Sequence, residues 1–101
     1  MEKRRPHYLL ANIKAAFADA ASLNRSFVSK QGADGLAMDD QQVVTVIQAL
    51  THAAFEKSMT SLVDHRIWQD VYRPRHEGRE LYVKFTLDAR QALFLISFKE
   101  A

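Results

Sequence analysis

The chain has 101 residues, with 14 Lys+Arg against 12 Asp+Glu, no cysteine, a formal charge of +2 and a pI near 9.1. A length near 100 predicts one domain over residues 1–101, and 48% hydrophobic with 26% charged residues excludes a disordered chain. Without cysteine there is no disulfide framework, zinc finger or thiol nucleophile, and three glycines leave no room for a phosphate-cradling glycine loop.

In chain order, the opening Met1-Glu2-Lys3-Arg4-Arg5-Pro6-His7 is charged, and no long apolar run follows it. It predicts neither a signal peptide nor a membrane span, and with the absence of cysteine it suggests the cytoplasm. Leu10, Ile13, Phe17 and Ala20 recur at spacings of three and four, which predicts a helix over residues 7–21. Leu23, Arg25 and Phe27 alternate, a signal for a short strand over 23–30. Gly32 and Gly35 suggest a turn. Asp39 or Asp40 then caps a second helix with Val43, Val44, Ile47 and Leu50 on its buried stripe. Thr51, followed by Glu56 and Lys57, suggests one more helical turn.

From Met59 the period changes to two. Strands are predicted over 67–75, 80–87 and 92–99, joined by His76-Glu77-Gly78-Arg79 and by a loop of four residues, 89–92. Connections this short make antiparallel hairpins. Two helices before a strand meander predict an α+β fold, with helices on one face of an antiparallel sheet.

Alternation assigns the faces. Leu81, Val83, Phe85 and Leu87 point to the helices, joined by Phe94, Ile96 and Phe98 of the last strand. Trp68 and Tyr72 alternate away from Gln69 and are expected in the core. If Arg75 pairs with Glu80, then Val71 meets Lys84, and the four-residue loop 89–92 pairs Tyr82 with Lys99. Gln69, Arg73, Tyr82, Lys84 and Lys99 then share one open face, with Lys57 near its edge.

Charge follows the same division. Residues 1–30 sum to +4, residues 31–56 to −4 and residues 57–101 to +2. Cations hold phosphates, an aromatic ring stacks on an unpaired base and an amide reads a base edge, so the open face suggests a polyanionic partner. A polar, solvated sheet face is the competing reading.

One stretch is highly individual: Phe55-Glu56-Lys57-Ser58-Met59-Thr60, then Asp64-His65-Arg66-Ile67-Trp68-Gln69-Asp70-Val71-Tyr72-Arg73-Pro74-Arg75. With the opening residues 1–7 and the ending Ser97-Phe98-Lys99-Glu100, it closely resembles the bacterial MqsR (motility quorum-sensing regulator) toxin family. The resemblance runs end to end and is loosest over about 15–50. It implies a RelE-like fold and a type II toxin, a ribosome-independent and metal-independent mRNA endoribonuclease that prefers GCU-type triplets. It also implies neutralisation by an MqsA-like antitoxin. Carried over by position, the family's functional residues are Lys57, Gln69, Tyr82 and Lys99.

Cleavage of this kind uses the neighbouring 2′-hydroxyl as nucleophile, with a base, an acid and cations for the developing charge. Lys57 and Lys99 are expected to stabilise that charge, with one as a candidate base. Tyr82 is the acid or a stacking platform, and Gln69 positions phosphate or base. A free lysine, with a pKa of about 10.4, is a poor base at neutral pH, so a base role needs neighbouring cations such as Arg73. Arg73, Lys84, His7 and Met59 are the further candidates for RNA contact.

His7, His52, His65 and His76 match no metal-ligand spacing; His65 is expected to cap a turn. No metal, no small-molecule cofactor and no membrane are expected. An antitoxin would add a strand to an exposed sheet edge. A non-catalytic RNA-binding module and a protein-interaction domain on the same sheet are the alternatives.

Overall fold

The computed structural model describes residues 1–101. In chain order the elements are β1 (Glu2–Lys3), α1 (Leu10–Ala16), a 3-10 turn (Ala20–Ser22), α2 (Phe27–Gly35), α3 (Asp40–Gln48), a second 3-10 turn (His52–Ala54), β2 (Phe55–Thr60), β3 (Trp68–Tyr72), β4 (Arg75–His76), β5 (Arg79–Leu87) and β6 (Leu93–Glu100). The fold is α+β, with six antiparallel strands. β1 pairs with β2, β2 with β3, and β3 with β5, which also carries β4 and β6. The core is a cluster of 16 buried residues. Helical Leu10, Ile13, Val43, Val46 and Ile47, with Phe17 just after α1, meet sheet residues Tyr72, Leu81, Val83, Phe85, Leu95 and Phe98 within it.

Except at the start of β6, the strand meander keeps the expected register. Arg75 pairs with Glu80, Val71 with Lys84 and Tyr82 with Lys99. The hairpin is tighter than the four residues suggested, because Glu77 (φ 51) and Gly78 (φ 80) both adopt left-handed backbone and close it in two residues.

Other expectations are corrected. The first helix does not run over 7–21: it stops at Ala16, where Gln48 donates to the carbonyls of Lys14 and Phe17 and satisfies the helix end. Residues 23–30 do not form a strand. Ser26 accepts from the Ser29 backbone N–H and caps α2, so only an isolated bridge from Arg25 to Leu95 remains of the alternation. The turn expected around Gly32 and Gly35 is also helix. Gly32 is needed because its backbone lies against β6: an added Cβ would stand 1.9 Å from the Phe98 carbonyl oxygen. Asp39 caps α3 in a capping box with Gln42. Glu56 and Lys57 lie in β2, not in a helical turn.

The last strand departs in an instructive way. Phe94 and Ile96 are only half-buried, and Leu95 is the fully buried residue. The turn after Leu87 holds one residue more than expected, since Leu87 pairs with Leu93, and an irregularity beside Ile96 restores the register. That bulge inverts alternation before Ser97 while leaving Phe98 in the core.

Candidate functional site

The open side of the sheet is assembled in rows. Lys57 of β2, Val71 of β3, Lys84 of β5 and Ser97 of β6 lie side by side, each paired with the next. On one side of this row Met59 pairs with Gln69, and Glu2 of β1 pairs with Met59. On the other side Tyr82 pairs with Lys99. Val71 is fully buried yet lies outside the main core, so it floors this face beneath the lysines.

Tyr82 is the centre of the cations. The Lys99 ammonium stands 5.4 Å from its ring centroid and the Lys84 ammonium 5.9 Å. Lys84 is half-buried, and burial first, then the Lys99 charge, pulls its pKa below the ordinary lysine value. Lys57 has Glu2 at 3.5 Å. Sequence reasoning missed Glu2, because a two-residue strand has no periodicity to detect.

Arg73 reaches the face already engaged. Its guanidinium donates to Glu80 at 2.7 and 3.0 Å and stands 3.9 Å from Glu56, and the Glu80 bond raises its pKa. It is therefore not a free cation able to tune a lysine, as the sequence suggested.

His7 is not brought to this face. Its backbone N–H and that of Tyr8 donate to Asp70, which also accepts from the Ser58 hydroxyl at 2.6 Å. Asp70 is fully buried and alternates with Gln69 and Val71, so it pins the N-terminal segment to the opposite side. There the His7 ring stacks on Trp68 at 5.4 Å, and the Lys3 ammonium lies 4.2 Å over the Trp68 ring. Burial and then Lys3 lower the His7 pKa, against an opposing pull from Asp70. Trp68 is thus half-exposed under a cation and a histidine, and only Tyr72 is core as expected.

Beside His7 opens a cleft of about 370 Å³, lined among others by Tyr8, Asp64, Arg66 and Asp88. Its carboxylates serve their own loops. Arg66 bonds hold the Asp64 pKa at about 2, and Asn24 with the Ala92 backbone does the same for Asp88. Asp64, not His65, makes the turn by accepting from the Arg66 backbone N–H. No group of three or more His, Cys, Asp or Glu side chains converges to hold a metal ion. No helix is long and apolar enough to cross a membrane.

The open face therefore joins Lys57, Gln69, Tyr82, Lys84 and Lys99, with Met59 at its margin. Two ammonium groups at a phenol, with a third lysine and an amide on the same face, can bind an anion, stabilise charge on it and exchange protons with it.

Comparison with known proteins gives the family. Residues 5–100 match the family described as motility quorum-sensing regulator, toxin of MqsA. A relative from Escherichia coli (strain K12), named mRNA interferase toxin MqsR, is 39% identical over 100 residues, covering 99% of each chain. A match of this extent, over the strands that carry the open face, shows that the chain belongs to the MqsR toxin family.

Proposed function

We infer that the protein is a toxin endoribonuclease that cuts single-stranded mRNA on the open sheet face without a metal ion. The observation that carries this reading is the pair of Lys84 and Lys99 at the Tyr82 ring, with Lys57 and Gln69 on the same sheet face, in a chain of this family. The relative's name specifies an mRNA interferase.

The chemistry is a transesterification. The 2′-oxygen attacks the adjacent phosphorus, the bond to the 5′-oxygen breaks, and a 2′,3′-cyclic phosphate and a free 5′-hydroxyl result. Lys57 and Lys99 stabilise the charge that builds on the phosphoryl oxygens, the role a metal ion plays elsewhere. Tyr82 donates the proton to the departing 5′-oxygen. Gln69, paired with Met59 at the margin, positions a flanking base or phosphate. The preferred site is a GCU-type triplet, and the setting is the bacterial cytoplasm, where mRNA is available.

The family is described by its antitoxin, so neutralisation by an MqsA-like partner belongs to the same proposal. The β6 edge is occupied: Ser26 donates to the Leu95 carbonyl, Leu95 donates to Asn24, and Gly32 backs onto Phe98. β1 covers only the Ser58–Met59 part of β2. A strand added by the antitoxin therefore fits beside β1 and β2.

The test is incubation of the purified chain with a defined mRNA in EDTA. Expected are cuts at a small set of triplets, lost in Lys57→Ala and Tyr82→Phe while RNA binding persists. Binding without cuts by the native chain would reduce the protein to an RNA-binding module.

A further inference from the structure

The three lysines of the open face are not equivalent. Lys57 has a carboxylate neighbour in Glu2 at 3.5 Å. Lys99 is exposed near the end of the outermost strand. Lys84 is half-buried in the middle of the face, and no carboxylate lies within ion-pair distance of it. We propose that Lys84 is the general base of the cleavage, taking the proton of the 2′-hydroxyl that attacks the adjacent phosphate.

A lysine works as a base only after shedding its own proton, which neighbouring carboxylates oppose while neighbouring cations and burial favour it. Every element around Lys84 supplies the second kind of surroundings. On β3 its partner is apolar Val71, with Lys57 beyond it on β2. On β6 its partner is uncharged Ser97, with Lys99 two residues along. On its own strand, Tyr82 is the titratable neighbour. The acids of this region are committed to other cations: Glu2 to Lys57, and Glu56 and Glu80 to Arg73. The lowered pKa of Lys84 agrees with that placement.

Position supports the role as well. Lys84 and Tyr82 are two residues apart on one strand face, a separation of roughly 6.6 Å along the strand. A phosphoryl group seated between them meets an amine on one side and a phenol on the other. The amine accepts the 2′-proton and becomes an ammonium as the P–O2′ bond forms. The phenol gives its proton to the 5′-oxygen as the P–O5′ bond breaks. Solvent then restores both groups, and nothing else is consumed.

This assignment rests on the ribonuclease reading, and the experiment separates the two. Single-turnover cleavage of a short RNA is followed against pH for the native chain, Lys84→Arg, and Lys84→Cys alkylated with 2-bromoethylamine. The chain has no other cysteine, so alkylation restores an amine at that position alone, and the thioether makes it more acidic than lysine. Expected is a native rate that climbs with pH and levels below the ordinary lysine pKa. Lys84→Arg keeps charge and RNA affinity but loses about 100-fold or more in rate. The alkylated chain recovers cleavage with its rising limb moved to lower pH. Native cleavage with an unchanged rate and profile in Lys84→Arg would overturn the base assignment alone, as would recovery in the alkylated chain with no shift of the limb. A native chain that leaves RNA intact would overturn the ribonuclease reading.

Discussion

Tyr72 is fully buried, packs edge-on against Phe55 and Phe85, and leaves its hydroxyl without a hydrogen-bond partner. Burial first, then the Asp70 charge, pushes its pKa up to about 12. For an acid whose folded pKa is raised, the stabilisation is present below the unfolded value near 10 and disappears as pH climbs toward 12. Tyr72→Phe removes a buried hydroxyl that bonds to nothing, so it should leave stability unchanged or raise it by up to about 1 kcal/mol at neutral pH. It should also be less sensitive than the native chain to a rise from pH 10 to pH 12. Urea denaturation at both ends of that window checks the pair of expectations. The same residue scale shows what alternation can read. Tyr82 and Lys99 stand opposite each other, as the pattern implied. Trp68 does not follow the simple rule that alternation away from an open face means core. Its strand neighbour Asp70 faces the same side and draws a polar N-terminal segment over it, and no local pattern announces that contact.

At the scale of elements, α2 and β6 are joined through a glycine. An added Cβ at Gly32 would meet the Phe98 carbonyl oxygen at 1.9 Å and the Lys99 Cβ at 3.2 Å. Backbone cannot yield there without moving the strand that carries Lys99. Gly32→Ala should therefore cost about 1–3 kcal/mol despite the better helix propensity of alanine, and it should lower cleavage more than Gly35→Ala. Gly35 has open space around its Cβ direction, so it serves as the matched control. Thermal unfolding and cleavage rate of the two variants test this. The elements themselves were legible where their signals are local: α3 through its acidic cap and apolar stripe, and the hairpin through the short connection around Glu77 and Gly78. They were not legible where a neighbour decides. Two glycines in ten residues look like a turn until a strand is found lying against one of them.

For the whole molecule, the acids of α2 and α3 stay with the helices, whereas Lys57, Lys84 and Lys99 stay on the open face. Glu56 is the exception in the acidic block, and it is spent on Arg73. Binding of single-stranded RNA should therefore weaken with salt, with a slope in log–log form of about −0.7 for each phosphate contacted, or about −2 for three lysines. Replacing any one of the three with glutamine should make that slope shallower by about 0.7, whereas Lys14→Gln on α1 should leave it unchanged. Titration of a labelled oligonucleotide across a salt series gives the slopes.

The sequence by itself determined the α+β class, the pairing of Val71 with Lys84 and of Tyr82 with Lys99, and the side of the sheet on which Gln69, Tyr82, Lys84 and Lys99 lie. Those properties follow from periodicity and short connections, which act between near neighbours. The tertiary structure decided which charges are free. Glu2 reaches Lys57 from the far end of the chain, Glu56 and Glu80 engage Arg73, and Asp70 holds His7 away from the lysines. Each depends on a side chain's partners in space, and so does the half-buried place of Lys84 among other cations.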